Sequence, residues 1–319
     1  EELRRRQYLA GMNIEDMELI LHPMVEDIKE AVGSMGDDTP VAVLSDKYRP
    51  LSHFFRQNFS QVTNPPIDSL RENEVMSLKT RFGNTGNILD FENLTEENIY
   101  VLDSPVLSNS QFDKFLNFFK KNIRILDCTF NIKEGLKKRL DDLRSEAEMA
   151  VREGGKHLIL SDKLIDEKKA PVPMALAIGA INSRLVNTGI RGFASINVQT
   201  SEVLDTHSFA VLLGVGATTV NPYIAFDSIY QRFEKKLFGK ISFKECVERY
   251  VKSVDNGLLK IMSKMGISVL SAYRGGCNFE AVGLSRSIVA EYFPGMTSRI
   301  SGIGISGIEK KIKKLHEKA

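Results

Sequence analysis

The chain has 319 residues, of which 42% are hydrophobic, and this is enough apolar material for one large α/β domain or two smaller ones. Its 43 Lys and Arg residues nearly balance 41 Asp and Glu residues, so the charge argues against electrostatic binding to nucleic acid or to an anionic membrane. No apolar run reaches the roughly 18 residues that cross a bilayer, and no signal-type core follows the first residues. We expect a soluble, cytoplasmic protein.

The three cysteines are Cys128, Cys246 and Cys277. Their number is odd, and they lie far apart without the paired spacing of a zinc or iron–sulfur site. We therefore predict reduced thiols, as in the cytosol, and no metal site in this sequence.

The N-terminal third, residues 1–121, has an irregular pattern. Helix signals cover 14–21 and 51–59, the second of these rich in aromatic residues, and 41–44 is strand-like. Between 80 and 98 the composition shifts to Gly, Asn, Asp and Glu, which predicts a surface loop.

A regular alternation of strands and helices begins after residue 122. Strand-like runs at 123–126 and 157–160 enclose a helix whose apolar residues recur from Leu136 to Val151 before Gly154 and Gly155 end it. The alternation continues with a helix at 174–186, a strand at 193–198, a helix at 209–213 and a strand at 218–220. Crossovers of this kind predict a parallel sheet.

A long helix follows, and its start is marked by a capping box from Ser242 to Glu245. We expect residues 255–257 to break this helix, Gly266 to end it, and 267–270 to form another strand. With about five strands, residues 122–319 are predicted to form an open or incomplete βα barrel.

The run of mixed chemistry at residues 59–72 resembles a segment of the central domain of the glutamate synthase large subunit. Further segments resemble that family in the same order along the chain, at 22–24, 31–46, 159–162, 214–217, 221–223 and 262–268. The resemblance spans nearly the whole chain, so 1–319 is expected to be one such domain, excised from a longer polypeptide.

The resemblance implies a fold and a role. The family's central domain is a rudimentary relative of its own flavin-binding barrel, so a TIM-barrel-like domain is implied. It connects an N-terminal glutaminase domain to an FMN-binding synthase domain, in an enzyme that makes two L-glutamates from L-glutamine and 2-oxoglutarate. The FMN, the iron–sulfur cluster and the catalytic residues are implied outside this segment. Electrons would come from a small NAD(P)H-oxidising subunit or from ferredoxin, and the isolated fragment is predicted to be inactive.

Thr63 and Asn64 precede two prolines that force an extended, non-helical elbow. The resemblance implies that ammonia travels through an internal tunnel between the two reaction centres, and we place Thr63 and Asn64 in its wall. A hydroxyl and an amide suit a small, neutral, hydrogen-bonding guest. In the alternative, these two residues only cap the helix that begins near Ile67.

Lys264, Ser268, Tyr273 and Arg274 surround the end of a predicted strand, where βα-barrel enzymes keep their sites. The two basic groups and the phenol could bind a carboxylate. Since the resemblance implies that this segment directly precedes the flavin domain, we favour an interface with that domain.

Other motifs are weaker. The Gly33–Asp38 segment and the glycines at 214–217 and 275–276 are more simply turns and helix ends than phosphate loops. The five histidines are scattered, and adjacent His207 and Ser208 would point about 100° apart on a helix, which does not make a nucleophile pair. Two alternative functions stay open: a self-contained FMN-binding βα barrel, supported by fold analogy alone, and a plain protein-interaction module.

Overall fold

The computed structural model describes residues 2–30, 41–59, 71–83, 89 and 99–319. Short 3₁₀ segments lie at Ala42–Leu44, Leu51–Phe54, Lys120–Asn122 and Arg191–Phe193, and a π-helical turn lies at Met17–Leu21. The α-helices are α1 (Glu2–Leu9), α2 (Ile14–Asp16), α3 (His22–Glu26), α4 (Glu72–Val75), α5 (Asn109–Phe118), α6 (Leu136–Arg152), α7 (Met174–Asn187), α8 (Thr206–Gly214), α9 (Tyr223–Glu234), α10 (Phe243–Met265), α11 (Leu270–Tyr273), α12 (Arg286–Tyr292) and α13 (Ile305–Lys318).

The strands form one parallel sheet of four strands and three smaller sheets among the described residues. In chain order the strands are β1 (Phe55–Gln57), β2 (Thr80–Phe82), β3 (Tyr100–Leu102), β4 (Ile123–Asp127), β5 (Thr129–Asn131), β6 (His157–Ser161), β7 (Lys169–Pro171), β8 (Ser195–Gln199), β9 (Thr219–Asn221), β10 (Phe279–Leu284) and β11 (Thr297–Ile303).

The four-stranded sheet has the order β4-β6-β8-β9, and all of its strands are parallel. Beyond β9, Val106 makes a parallel bridge to Val220, and Val220 exchanges backbone hydrogen bonds with Pro105 and Leu107. The crossovers expected from the sequence are therefore confirmed for β4, β6, β8 and β9, and their helices α6, α7 and α8 lie close to the predicted limits.

The two faces of this sheet differ in chemistry, because side chains alternate along each strand. One face carries residues that are completely buried in the main hydrophobic core with helices α6, α7 and α8, namely Leu158, Leu160, Ile196, Val198 and Val220. The other face carries polar residues, and α5 and the aromatic residues around it cover part of it. Most of the apolar core therefore lies on the helix side of the sheet.

Helix α10 runs without a break from Phe243 to Met265, so the expected interruption at 255–257 is wrong. Contacts with other parts of the chain explain why the helix continues through these residues. A Cβ atom on Gly257 would lie 2.5 Å from Cγ2 of Thr206, so this glycine lets α10 approach the start of α8 closely. Asp255 accepts a hydrogen bond from Ser104 at 2.6 Å. Gly266 then ends the helix in a left-handed conformation, as predicted.

The predicted strand at 267–270 is also wrong. Val269 makes only an isolated parallel bridge to Ser77, and Leu270 begins α11. Two backbone hydrogen bonds hold this crossing, from Ser77 N to Ser268 O (2.8 Å) and from Leu270 N to Ser77 O (3.1 Å). A partner that offers only one residue for pairing cannot extend the segment into a ladder.

Several predictions for the N-terminal third also differ from the structure. Residues 42–44 form a 3₁₀ turn instead of a strand. This turn packs closely on β10, since a Cβ built on Gly283 would lie only 2.5 Å from the Cβ of Val43. The expected helix at 51–59 is a 3₁₀ turn followed by β1, because Phe55–Gln57 pair antiparallel with β10. The region from Thr80 begins with the strand β2, which pairs with β3.

The mixed α/β class with a parallel sheet is therefore confirmed, and the barrel is not. β10 and β11 pair in parallel with each other, but they belong to a different sheet, with β1. The three cysteines are free, with Cys128 and Cys246 buried and Cys277 exposed. None of the helices in the described ranges combines the length and the apolar character needed to span a bilayer.

Candidate functional site

Lys264 lies in the last turn of α10 and interacts with Phe59 and Glu72. Its Nζ atom is 5.9 Å from the centroid of the Phe59 ring, and the Glu72 carboxylate acts on it electrostatically. Burial is the main cause that lowers the pKa of Lys264, with Lys260 acting in the same direction and Glu72 against it. Thr63 and Asn64, predicted to line the ammonia tunnel, lie outside the described residues.

Ser268 contributes its backbone, since its carbonyl accepts the bond from Ser77 described above, while its side chain is exposed. Tyr273 is different. Only 1% of it is exposed, and its hydroxyl donates to Oε1 of Gln57 at 2.6 Å. Nε2 of Gln57 donates in turn to the Asn278 carbonyl, and Nδ2 of Asn278 donates to the Tyr273 carbonyl. These bonds tie β1 to α11 and β10.

Arg274 points toward the β2 strand. Its Nη2 donates to Oγ1 of Thr80 at 2.8 Å, while its Nε is buried and has no hydrogen-bond partner among the described residues. Burial, and then the nearby Arg191 guanidinium, lower the pKa of Arg274 to about 10. Of the four residues predicted together, Lys264, Ser268 and Arg274 keep accessible surface, and Tyr273 lies in the core.

The polar face of the parallel sheet is a feature that the sequence reasoning missed. Oγ1 of Thr219 donates to Oδ1 of Asn197 at 2.7 Å, and Nδ2 of Asn197 donates to Oγ of Ser195 at 2.8 Å. Ser195 also contacts Nδ1 of His157 at 2.9 Å. The signal was present in the sequence as polar residues at every second position of β8 and β9, and at both ends of β6, where Ile159 lies between them.

His157 lies at the end of this face, against aromatic rings. The centroid of the Phe119 ring is 4.0 Å from that of His157, and Phe82 and Phe115 also pack against it. Burial, and then Lys156, lower the pKa of His157 to about 4. The imidazole is therefore neutral near pH 7, as its hydrophobic surroundings require.

Two acids, the buried Asp162 and the half-buried Glu202, lie at the carboxyl end of the same strands. Oδ2 of Asp162 accepts bonds from Oγ1 of Thr200 (3.0 Å) and from the N–H (2.8 Å) and hydroxyl (2.9 Å) of Ser201. Glu202 accepts from the N–H of Met174, where α7 begins, at 2.8 Å. Burial raises the pKa of Asp162, and burial raises that of Glu202 to about 8. These groups tie the strand ends to the next helix.

No group of three or more His, Cys, Asp or Glu side chains in the described ranges is arranged to hold a metal ion. His207 and Ser208 do not act as a pair. Nε2 of His207 contacts the Ser52 carbonyl at 2.9 Å, and the Ser208 hydroxyl donates to Asp205. His207 bonds to the segment that contains Ser52, and Ser208 bonds to Asp205 at the N-cap of its own helix, so both hold the start of α8 in place.

Residues 5–285 match the family model described as "Glutamate synthase central domain". The chain belongs to this family. The central domain is 57% identical over its whole length to the "Glutamate synthase [NADPH] large chain" of Azospirillum brasilense, of which it covers 21%. It is 39% identical to the protein of the same name from Bacillus subtilis (strain 168), again over 100% of the chain and 21% of the relative.

The central domain also resembles relatives with a different electron donor in their names. It is 37% identical to the "Ferredoxin-dependent glutamate synthase" of Pyropia yezoensis, over 100% of the chain and 22% of that protein. The chain thus spans about a fifth of the length of these curated relatives. The family resemblance inferred from the sequence motifs is confirmed.

Solved structures give a weaker likeness. The recombinant flavin-binding domain of baker's yeast flavocytochrome b2 aligns with a TM-score of 0.35 and 14% identity, over 65% of the central domain and 47% of that chain. A mutant flavocytochrome b2 with benzoylformate gives a TM-score of 0.34 and 14% identity, over 52% of the central domain and 37% of that chain. These scores are too low to support the barrel or a flavin site in the central domain.

Proposed function

We propose that this chain is the connecting domain of a glutamate synthase. It holds a glutamine-hydrolysing domain and an FMN-binding synthase domain at a fixed separation and lines part of the ammonia path between them. The complete enzyme would reductively convert L-glutamine and 2-oxoglutarate into two L-glutamates in the cytoplasm. The observation that carries the proposal is the 57% identity over the whole chain to a glutamate synthase large chain.

The names of the relatives support a role in a step that all of them share. Relatives named for NADPH match at 57% and 39% identity and one named for ferredoxin at 37%, each over the whole chain, so both electron-donor classes contain this domain. A segment that received electrons would be expected to differ between the two classes. Moving ammonia and joining domains are tasks common to both. FMN, the iron–sulfur cluster, and the small NAD(P)H-oxidising subunit or ferredoxin are therefore assigned to adjoining parts of the enzyme.

The surroundings of Lys264 support a place for the ammonia path and the flavin-domain interface. Phe59 and Glu72 flank the segment with Thr63 and Asn64, and both act on Lys264. In this proposal Thr63 and Asn64 form the wall, while Lys264, Ser268 and Arg274 face the flavin domain. Tyr273 lies in the core below this surface and supports it through its hydrogen bond to Gln57.

A rigid connector needs its parts tied together, and the described contacts between distant segments meet this requirement. Arg232 on α9 forms two bonds of 2.9 Å to the Glu18 carboxylate. Gln7 on α1 donates to Ser228 on α9 at 2.8 Å. A domain that fixes a distance must resist bending, and buried or half-buried polar ties add specificity to apolar packing.

Thr63→Leu in the full-length enzyme tests the proposal. The larger apolar side chain should obstruct the path, so glutamine-dependent glutamate formation should fall roughly tenfold or more while glutamine hydrolysis continues. Both rates are measured in one assay, and Thr297→Leu, at an exposed threonine of β11, is the matched control. If both rates of the Thr63 variant match those of the control, Thr63 is a structural residue and the wall lies elsewhere.

A further inference from the structure

Four partly or largely buried arginines of this chain contact carboxylates. Arg232 pairs with Glu18 at 2.9 Å, and the other pairs are Arg139 with Glu146, Arg144 with Glu291 and Arg249 with Glu245. This is the expected arrangement, because a charge that leaves water needs an opposite charge or several hydrogen bonds. Arg191 and Arg274 depart from it.

Arg191 is held in a fixed direction by neutral groups only. Its Nε donates to Oδ1 of Asn182 (2.6 Å), its Nη1 to the Ala194 carbonyl (2.6 Å) and its Nη2 to the Gly216 carbonyl (3.0 Å). A guanidinium carries five N–H donors, so one hydrogen on each terminal nitrogen is left for another acceptor. Burial lowers the pKa of Arg191, and no carboxylate counteracts this effect within the described part of the chain.

Arg274 lies on the other side of the same turn. Its neighbour Gly275 donates its N–H to the Gly214 carbonyl at 2.9 Å, two residues from the carbonyl that Arg191 contacts. Arg274 itself gives one hydrogen bond, to Thr80, among the described residues, and its Nε is buried without a partner. Burial, and then the Arg191 charge, lower the pKa of Arg274.

Two glycines next to these arginines in the chain have uncrowded surroundings. A Cβ built on Gly192 or on Gly275 would meet no atom within 4 Å, and both glycines are exposed. Gly216 has a φ of +126°, and a side chain there would press on Asn182, which orients Arg191. The conformation of this turn therefore helps to keep Arg191 in place.

We propose that Arg191 and Arg274 form a binding site for a small oxyanion, a ligand with a carboxylate or phosphate group. Two guanidinium forks with unused donors match the paired oxygens of such a group, and a bound anion removes the repulsion between the two charges. The buried Nε of Arg274 gains the acceptor that it lacks. This site is separate from the proposed connector function and does not depend on it.

Equilibrium dialysis of the native polypeptide with radiolabelled orthophosphate at constant ionic strength tests the site. We expect Arg274→Met to lose one bound phosphate, or to bind it roughly tenfold or more weakly, because charge-assisted bonds to both oxygens are removed. Arg184→Met is the matched control, since Arg184 is half exposed and already pairs with Glu148. Competition by acetate shows whether a carboxylate occupies the same site.

Arg274→Lys gives a second test, because it keeps the charge but loses the planar fork, and its affinity should lie between wild type and Arg274→Met. A circular dichroism spectrum like that of wild type establishes that each variant is folded. Arg191→Met should also lose the bound phosphate. The proposal fails if wild type binds no phosphate or acetate beyond the Arg274→Met variant, or if the Arg184 control loses as much binding as Arg274→Met.

Discussion

The apolar and polar faces of the parallel sheet are stabilised in different ways. On the apolar face Leu158, Leu160 and Ile196 are completely buried against helices. On the polar face residues stand in rows across the strands, and one row joins Ser161, Gln199 and Asn221 by hydrogen bonds of 3.0 and 3.2 Å. Apolar packing tolerates many apolar side chains of similar volume, whereas each buried polar residue needs a hydrogen-bonding partner.

This difference bears on register. A slip of one residue between β6 and β8 would exchange the two faces and leave every polar row unpaired. The apolar face supplies most of the free energy of folding, and the polar face makes one alignment of the strands much better than its competitors. Substitutions on the two faces should therefore differ in size and, above all, in how they combine.

The largest effect is expected on the apolar face. Leu160→Ala removes a fully buried side chain and leaves a cavity, which should lower the free energy of unfolding by about 2–5 kcal/mol. Urea denaturation of the variant and of wild type measures the difference. Ile125→Ala on β4 is the control, because 66% of Ile125 is exposed and its loss should cost less than about 0.5 kcal/mol. Equal effects of the two substitutions would contradict this account.

On the polar face, Asn197→Leu should cost about 1–3 kcal/mol, because it leaves the fully buried Thr219 hydroxyl without its acceptor. The double variant Asn197→Leu with Thr219→Val removes both partners and should recover part of this loss. The four free energies of unfolding form a double-mutant cycle. If the two losses simply add, the row is not coupled and the comparison between the faces is wrong.

The smallest effect is a dependence on pH. His157 has a pKa of about 4 in the folded protein, against 6.5 for an ordinary histidine, because it is buried. Between these values the unfolded chain binds a proton that the folded protein does not, so stability should fall as the pH drops from about 6.5 towards 4 and stay level above 6.5. Allowing for partial solvent access, the loss is on the order of 1–2 kcal/mol.

Urea denaturation at pH 7.5 and pH 5 measures this dependence, with His157→Gln as the variant. Glutamine can still bond to Ser195 but does not titrate, so the variant should lose less stability on acidification than wild type. His316→Gln, near the end of α13, is the control and should behave like wild type. An unchanged pH dependence in His157→Gln would show that another group is responsible.

Local signals in the sequence were reliable where chain neighbours determine the structure. The apolar spacing from Leu136 to Val151 predicted α6, and the glycine at 266 predicted the end of α10. These features depend on side-chain periodicity and on backbone conformation, which neighbouring residues control. The same reasoning wrongly predicted a helix break at 255–257, because Gly257 allows a close contact with Thr206, some fifty residues away along the chain.

The candidate site shows the same division. Sequence motifs led to the family and to Lys264, Ser268, Tyr273 and Arg274 as a group. They gave no sign that Tyr273 turns inward to Gln57, because that bond joins residues 216 positions apart. Nor did they indicate that Arg191 bonds to the Gly216 carbonyl while Gly275, next to Arg274, bonds to the Gly214 carbonyl of the same turn.

The sequence by itself determined the family, the parallel βα order between residues 123 and 221 and the ends of the main helices. Only the tertiary structure decided which strands join one sheet, that the polar face forms hydrogen-bonded rows, and which charged side chains have no counter-charge among the described residues. The physical reason is the distance along the chain over which each kind of interaction acts. Periodicity and capping act within a few residues, whereas the pairing of buried polar groups depends on segments that meet only after the chain has folded.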